Sequence, residues 1–581
     1  MNTAEYLVKK LEELGITDFF GVPGDYNFNI LYAIENNHET NWVACTNELN
    51  AGYAADGYAR TKGFGAVVTT YGVGELSAIN AIAGSFAENI PVISIVGVPT
   101  SKNIEEKTLL HHNLQDVNYQ AYMEAHKNFV EASAFLNRDN AKIEIDRVLK
   151  TFVKERRPVY IAIPLDIAEM EISSKQVDYN WISDEETLEK VIARINGKIK
   201  NSKKPVILAD VLAKRYDSKI ELNEFVEKSG IPTTEFMMGK GLINTELKNY
   251  LGMYYGEFKN PVAQKWLEET DCLIAIGPIY SDLNSFGFNL PYKINSQVAI
   301  YGTHTYIDGV RHDNVKMSDV LSGLSKVVDS HNFDIDKETE GYEASKITEG
   351  KLTSEYIYPR LQEFLKENDI IFGETGIIPH GLCQMKLPNN TNLHTQTLWG
   401  SIGWATPATF GASIAKPESR VILFTGEGSH QISAMEIGSM LRYGVKPVIV
   451  VLNNNGYSIE RLLSKDPDDK FNDIMKMSYT KFARAFEGDI WATKVETAED
   501  FDKALKVTKI MNKLCYIEVC TDKNDAPELT KEVIAKFVQS TKKASEEFEQ
   551  KSIKKEIDIE LNKPKSFNFG TRVHESLRGL E

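Results

Sequence analysis

A carboxylate and an amide lie 27 positions apart, each at the end of an apolar run. Glu427 sits in Gly426-Glu427-Gly428-Ser429, directly after Val421-Ile422-Leu423-Phe424. Asn454 sits in Asn453-Asn454-Asn455-Gly456-Tyr457, after the apolar run from Pro447 to Leu452. Between them, Gln431 to Tyr443 reads as a helix ended by Gly444. The pattern predicts strand, Gly-rich turn, helix, strand, turn. In a parallel sheet both turns fall at the same edge. The Glu427 carboxylate, the Asn454 amide oxygen and backbone groups would converge there as hard oxygen donors of the kind that suit Mg²⁺ or Ca²⁺, and Mg²⁺ typically bridges to phosphate groups. Ser429 and the adjoining helix start would donate hydrogen bonds to those phosphates.

A second group of candidates lies near the N-terminus. Asp25 follows Gly21-Val22-Pro23-Gly24, and Glu48 opens the small-residue stretch Glu48 to Arg60, rich in Ala and Gly. The adjacent pair His111-His112 and the distant Glu460 are further groups able to move protons near neutral pH. Trp399-Gly400-Ser401-Ile402-Gly403-Trp404 lies between candidate strands of the last third.

Together these motifs resemble the thiamine diphosphate-dependent 2-oxo acid decarboxylases of the pyruvate and indolepyruvate decarboxylase family. The Gly426-Glu427-Gly428 to Asn453-Asn454 spacing resembles that family's diphosphate motif, which usually has Asp where this chain has Glu427. The extra methylene shifts the carboxylate by roughly one bond length, and Mg²⁺ demands near-octahedral ligands. The resemblance runs from the N-terminus to about residue 545. It implies thiamine diphosphate and Mg²⁺ as cofactors, with Glu427, Asn454 and Gly456 as metal ligands. Gly426, Gly428, Ser429, Asn454 and Tyr457 would surround the diphosphate. Gly400 would offer its carbonyl to the aminopyrimidine, and Ile402 would wedge between the two rings. Glu48 would hydrogen-bond the pyrimidine, and Asp25, His111, His112 and Glu460 would handle protons. The implied reaction is non-oxidative decarboxylation of a 2-oxo acid to an aldehyde and CO₂ through an enamine. An acetolactate synthase-like carboligase is the rival reading, although such relatives generally lack the His-His pair. A non-catalytic binding protein of the same fold is a third. Ile459, Leu283, Pro379 and His380 are the expected substrate wall. Relatives often place aromatic side chains where this chain has Leu283 and the stretch from Thr375 to His380, so larger 2-oxo acids are expected as well as pyruvate.

These groups need elements to carry them. The length of 581 residues is too great for one core and suggests about three domains. Short apolar runs alternate with helical patterns, which predicts an α/β fold: three doubly wound parallel-sheet domains of the thiamine diphosphate enzyme type. The clearest predicted strands are 66–70, 91–96 and 158–163, then 205–209, 272–276 and 298–301, then 369–372, 421–424, 448–452 and 516–519. Polar stretches at 168–189 and 331–355 read as linkers. The expected divisions are a pyrimidine-binding domain at 1–180, a middle domain at 190–340, a diphosphate-binding domain at 355–545 and a flexible tail at 546–581.

The net charge of −16 argues against nucleic-acid or anionic-membrane partners. No stretch is long and apolar enough to span a bilayer, and the N-terminus lacks the apolar core of a signal peptide. Five scattered cysteines form no disulfide framework or zinc pattern, so a reducing, cytoplasmic setting is expected. The expected partners are a small-molecule 2-oxo acid and further copies of the chain. The expected assembly is a homodimer, or a dimer of dimers giving a homotetramer, with shared active sites.

Overall fold

The computed structural model describes residues 1–173, 177–288, 298–336, 340–344 and 350–561, with residues 544 and 546–561 described as backbone only. Three sheets carry the chain. The first uses β1 (Asp18–Gly21), β2 (Asn41–Ala44), β3 (Gly65–Thr70), β4 (Val92–Val98), β5 (Ala132–Phe135) and β6 (Val159–Pro164). Their order is β2-β1-β3-β4-β6-β5, and every pairing is parallel. β3, β4 and β6 are buried along their whole length, because helices cover both faces of the sheet.

The middle sheet uses β7 (Pro205–Ala209), β8 (Thr233–Glu235), β9 (Tyr250–Met253), β10 (Cys272–Ile276), β11 (Val298–Ile300), β12 (His304–Ile307) and β13 (Val310–Asp313). Its order is β13-β12-β11-β10-β7-β8-β9. β12 and β13 run antiparallel at one edge, so this sheet departs from the purely parallel expectation. The exposed hairpin turn Asp308-Gly309 permits that reversal, with φ values of 52° and 76°. A helix at Glu185–Asn201 begins inside the stretch read as a linker, capped where the Asp184 side chain accepts the Thr187 N–H.

The third sheet uses β14 (Ile370–Gly373), β15 (Asn392–Thr395), β16 (Val421–Gly426), β17 (Val448–Asn453), β18 (Ile490–Val495) and β19 (Leu514–Cys520). Its order, β15-β14-β16-β17-β19-β18, repeats the topology of the first sheet, and it too is wholly parallel.

The first and third domains pack through helix Glu48–Lys62 against helix Ala405–Ala415. A Cβ on Gly57 would stand 2.0 Å from the Ala408 carbonyl oxygen, and one on Gly411 1.8 Å from that of Ala54. The small residues therefore let the two backbones touch.

The predicted helix 431–443 is instead two helices, Glu427–Ser433 and Glu436–Arg442. The chain tightens between them, where Ile437 and Gly438 bond back three residues to Ala434 and Met435. A helix also spans Glu528–Leu561 and so runs into the first part of the stretch read as a tail. Its first turns are held by apolar contacts of Leu529, Val533 and Ile534. Residues 562–581 of the expected tail lie outside the described residues.

Candidate active site

The two Gly-rich turns meet as the strand order requires. β16 and β17 are parallel neighbours, and their C-terminal ends deliver Glu427 and Asn454 to one sheet edge. Glu427 is 2% exposed. Its Oε1 accepts the backbone N–H of Asn454 at 3.1 Å and of Gly456 at 2.9 Å. Burial pushes its carboxyl up to about 7, against the lowering effect of these backbone donors. Asn455 bends the turn with φ 60°, and a Cβ on Gly428 would stand 2.5 Å from the Tyr457 ring.

A divalent cation fits this donor set. The Asn454 side-chain oxygen is buried without a hydrogen-bond partner, which is an uncommon state for a buried acceptor. The Glu427 carboxylate has lone pairs beyond those its two donors use, and a cation beside it would offset the burial that opposes its charge. Gly426 opens onto free space: a Cβ there would meet nothing within 4 Å.

These groups line one end of a cavity of about 910 Å³. Gly426, Glu427, Gly428, Ser429, Asn454, Gly456 and Tyr457 form that end. Gly400, Ile402, Ile459, Glu460, Leu283, Pro379 and His380 line the rest. Gly400 has φ 65°, and Ile402 remains 37% exposed. The first domain fixes this loop. Glu88 accepts the Leu398 N–H at 2.9 Å, Tyr53 meets Ser401 at 2.6 Å, and Trp404 donates to Asp56 at 2.8 Å. His380 is buried, and burial alone pushes it down to about 4.

Asp25, His111 and His112 form a separate group on the first domain, with ligating atoms within 4.8 Å of one another. His111 Nε2 lies 3.1 Å from Asp25, and its Nδ1 lies 3.3 Å from the Tyr26 hydroxyl. With Nε2 donating to the carboxylate, Nδ1 accepts from Tyr26. The carbonyl of His111 accepts from Tyr71, and that of His112 from Tyr122 at 3.1 Å. Glu48 lies across the turn at Gly72–Gly74. A Cβ on Gly74 would stand 3.3 Å from Glu48 Oε1, and one on Gly72 would stand 2.2 Å from the His112 carbonyl oxygen. None of Asp25, Glu48, His111 and His112 lines the 910 Å³ cavity of the same chain.

Sequence reasoning missed part of the wall. Phe258, Phe286 and Phe288 supply aromatic surface from the middle domain, and Val533, Ile534 and Phe537 supply apolar surface from the C-terminal helix. The sequence does carry a signal for that helix: Leu529, Val533 and Phe537 recur every four residues, on one helical face.

Comparison with known proteins converges on the same chemistry. Family models of thiamine pyrophosphate enzymes match the chain three times: the N-terminal TPP binding domain over residues 1–122, the central domain over 192–320 and the C-terminal TPP binding domain over 376–519. The pyruvate decarboxylase of Kluyveromyces lactis is 35% identical over 540 residues, covering 90% of this chain and 96% of the relative. The chain belongs to the thiamine diphosphate-dependent 2-oxo acid decarboxylases. Pyruvate decarboxylase isozyme 1 of Saccharomyces cerevisiae is likewise 35% identical, over 550 residues, with 90% and 96% coverage. A solved thiamine diphosphate-dependent 4-hydroxybenzoylformate decarboxylase from Rhodococcus jostii RHA1 shares the fold, with TM-score 0.73, 19% identity and coverage of 90% and 99%. This member of the decarboxylase family is therefore a carboxy-lyase that uses thiamine diphosphate to remove CO₂ from a 2-oxo acid. Neither the carboligase nor the non-catalytic reading gains support from these relatives.

Proposed function

We propose that this decarboxylase acts on pyruvate and on larger aliphatic and aromatic 2-oxo acids, in sites completed by a second copy of the chain. One observation carries this reading. The cavity containing Glu427, Asn454 and Glu460 lacks Glu48, Asp25, His111 and His112, which gather on the first domain instead. A two-fold pairing of chains would bring one set to the other twice, in a homodimer or a dimer of dimers.

Glu427, the Asn454 side chain and the Gly456 carbonyl hold Mg²⁺. Ser429 donates to the diphosphate, while Gly426, Gly428 and Tyr457 shape the space around it. Gly400 and Ile402 position the two rings. When bound, thiamine diphosphate supplies the nucleophilic carbon and the electron sink. Glu48 holds the pyrimidine edge and governs its protonation. His111 and His112, with Asp25 orienting His111, and Glu460 deliver and remove protons around the reacting carbon. Leu283, Ile459, Pro379 and His380 receive the substrate side chain. An apolar wall discriminates by only about 1–3 kcal/mol per methylene, which favours a mixed substrate range. The five unpaired cysteines support a reducing, cytoplasmic setting.

The test is complementation between two inactive variants. Glu48→Gln should retain cofactor and lose activity by on the order of 10²–10⁴. Glu427→Ala should lose cofactor on dilution or chelation. Mixed under conditions of subunit exchange, the two should regain activity, because each mixed dimer carries one intact site. Confirmed exchange without recovery, or full activity in a dilute monomer, overturns the shared site. Steady-state rates on pyruvate, 2-oxoisovalerate and phenylpyruvate test the substrate range, and strict selectivity for pyruvate refutes it.

A further inference from the structure

A second cavity, of about 260 Å³, lies where the three domains meet. Its wall takes Arg60 and Arg156 from the first domain, Lys214 and Arg215 from the short helix Leu212–Arg215 after β7, and His394 and Lys416 from the third domain. Some of this positive charge is matched locally. Asp56 and Glu88 neutralise Arg60 at 2.6 Å and 3.3 Å, and Asp217 pairs with Arg156 at 2.5 Å. Lys62, also in the wall, reaches Asp18 at 3.9 Å.

The rest is unmatched. Among the described residues, the side chains of Lys214, Arg215 and Lys416 have no ion pair or hydrogen-bond partner. Arg215 is 7% exposed, and its Nε is buried without a partner. His394 is 2% exposed, and its Nδ1 is likewise unpaired. The carboxylates of Glu88, Asp56 and Asp210 offset part of the Arg215 charge from beyond hydrogen-bond reach, whereas the charges acting on Lys214 are the cations Arg215, Lys219, Arg60 and Lys416. The crowding shows in the ionisation of these groups. Burial, then Arg60, pushes Arg215 down to about 9. Burial, then Arg215, holds Lys214 well below its usual range.

We propose that this junction binds a small phosphate-bearing anion, inorganic phosphate or a phosphomonoester, between Lys214 and Arg215 of the middle domain and His394 and Lys416 of the third. The arginine fork matches phosphate oxygens, and the lysines add point charges from other directions. The volume suits a compact anion, since sites for drug-sized ligands begin at about 300 Å³. The anion ties two domains together and satisfies polar atoms that otherwise have no partner.

The test uses holoenzyme saturated with thiamine diphosphate and Mg²⁺, so that the diphosphate site stays filled. Calorimetric titrations with inorganic phosphate and with glycerol phosphate run at an ionic strength fixed with chloride. Wild type should bind at least one of the two, and binding should raise its Tm. Lys214→Met should bind about tenfold more weakly, the loss of one charge-assisted contact. Without the anion, Lys214→Met should melt at or above wild type, because an unmatched cation is gone. Lys416→Ala, at an exposed position, should also weaken binding and repeats the comparison without disturbing packing. Binding of phosphate alone assigns the site to the free ion, and binding of the ester alone assigns it to phosphomonoesters. No binding to wild type at fixed ionic strength, or unchanged affinity in both variants, overturns the proposal.

Discussion

Besides Glu427, several carboxylates among the described residues are buried deeply enough to resist ionisation. Burial pushes Glu75, Asp210 and Glu374 up to about 7. A carboxyl raised in the folded state adds stability that is fully present below its unfolded value and disappears as pH rises through its folded value. The stability contributed by these three groups should therefore decline from about pH 4–5 to above pH 7, against the opposite trend of buried histidines such as His380. Asp210 gives the cleanest test. Its Oδ2 accepts from Ile279 N at 2.7 Å and from Asn284 Nδ2 at 2.8 Å, while Oδ1 has no partner. Asp210→Asn keeps the accepting oxygen and removes the charge. It should raise Tm at pH 8, by a stability gain on the order of 4 kcal/mol, and by less than half as much at pH 5. Equal shifts at both pH values in thermal melts would contradict the buried-charge account.

At the level of elements, two contacts decide whether the site holds together. The helix pair Glu48–Lys62 and Ala405–Ala415 crosses with backbone touching backbone at Gly57 and Gly411. The same crossing sets the loop of Gly400 and Ile402 against the first domain. Gly411→Ala would press a methyl group against the Ala54 carbonyl. It should destabilise the chain by about 1–3 kcal/mol, as overpacking does. Loss of cofactor retention should accompany the lower Tm, and a variant with normal Tm and normal cofactor binding would show that the helices part freely. The C-terminal helix is the second contact. Phe537 lines the 910 Å³ cavity yet is 50% exposed, so its truncation should spare the fold. Phe537→Ala should raise KM for 2-oxo acids several-fold, on the order of the 1–3 kcal/mol typical of apolar pocket changes, with Tm unchanged. An unchanged KM would remove this helix from the substrate wall.

At the scale of the whole molecule, apolar side chains of the described residues stand exposed on the two domains that the proposed pairing would bring together. Phe28, Val73, Leu76 and Leu109 do so on the first domain, and Trp399, Ile432 and Met435 on the third. Exposed apolar clusters of this kind mark association surfaces. A charge placed in such a surface disfavours pairing without entering a core. Met435→Arg should shift the sedimenting species toward monomer and lower activity in parallel, while circular dichroism stays that of the native chain. A monomer that keeps full activity would separate association from catalysis.

The long buried strands were legible in the order of residues alone, whereas short ones such as β2, β8 and β15 were not. Runs such as 421–424 and 448–452 are buried on both faces, so they read as continuous apolar segments, and the adjoining turns carry Glu427 and Asn454 with little ambiguity. The His111-His112 pair and Glu48 stood out only through the resemblance of their surroundings to the family, because their residue types alone fit an ordinary surface loop and helix start. What lies between distant segments came from folding in three dimensions. The helix start at Glu427 and the break at Ala434 depend on local bonding that periodicity does not encode. The antiparallel edge of the middle sheet depends on a two-residue turn. The aromatic wall from Phe258 and Phe286, the cover from Phe537 and the cationic junction around Arg215 each join residues far apart in the chain. Such groupings arise only when packed domains bring separate surfaces together, and no spacing in a one-dimensional pattern records that contact.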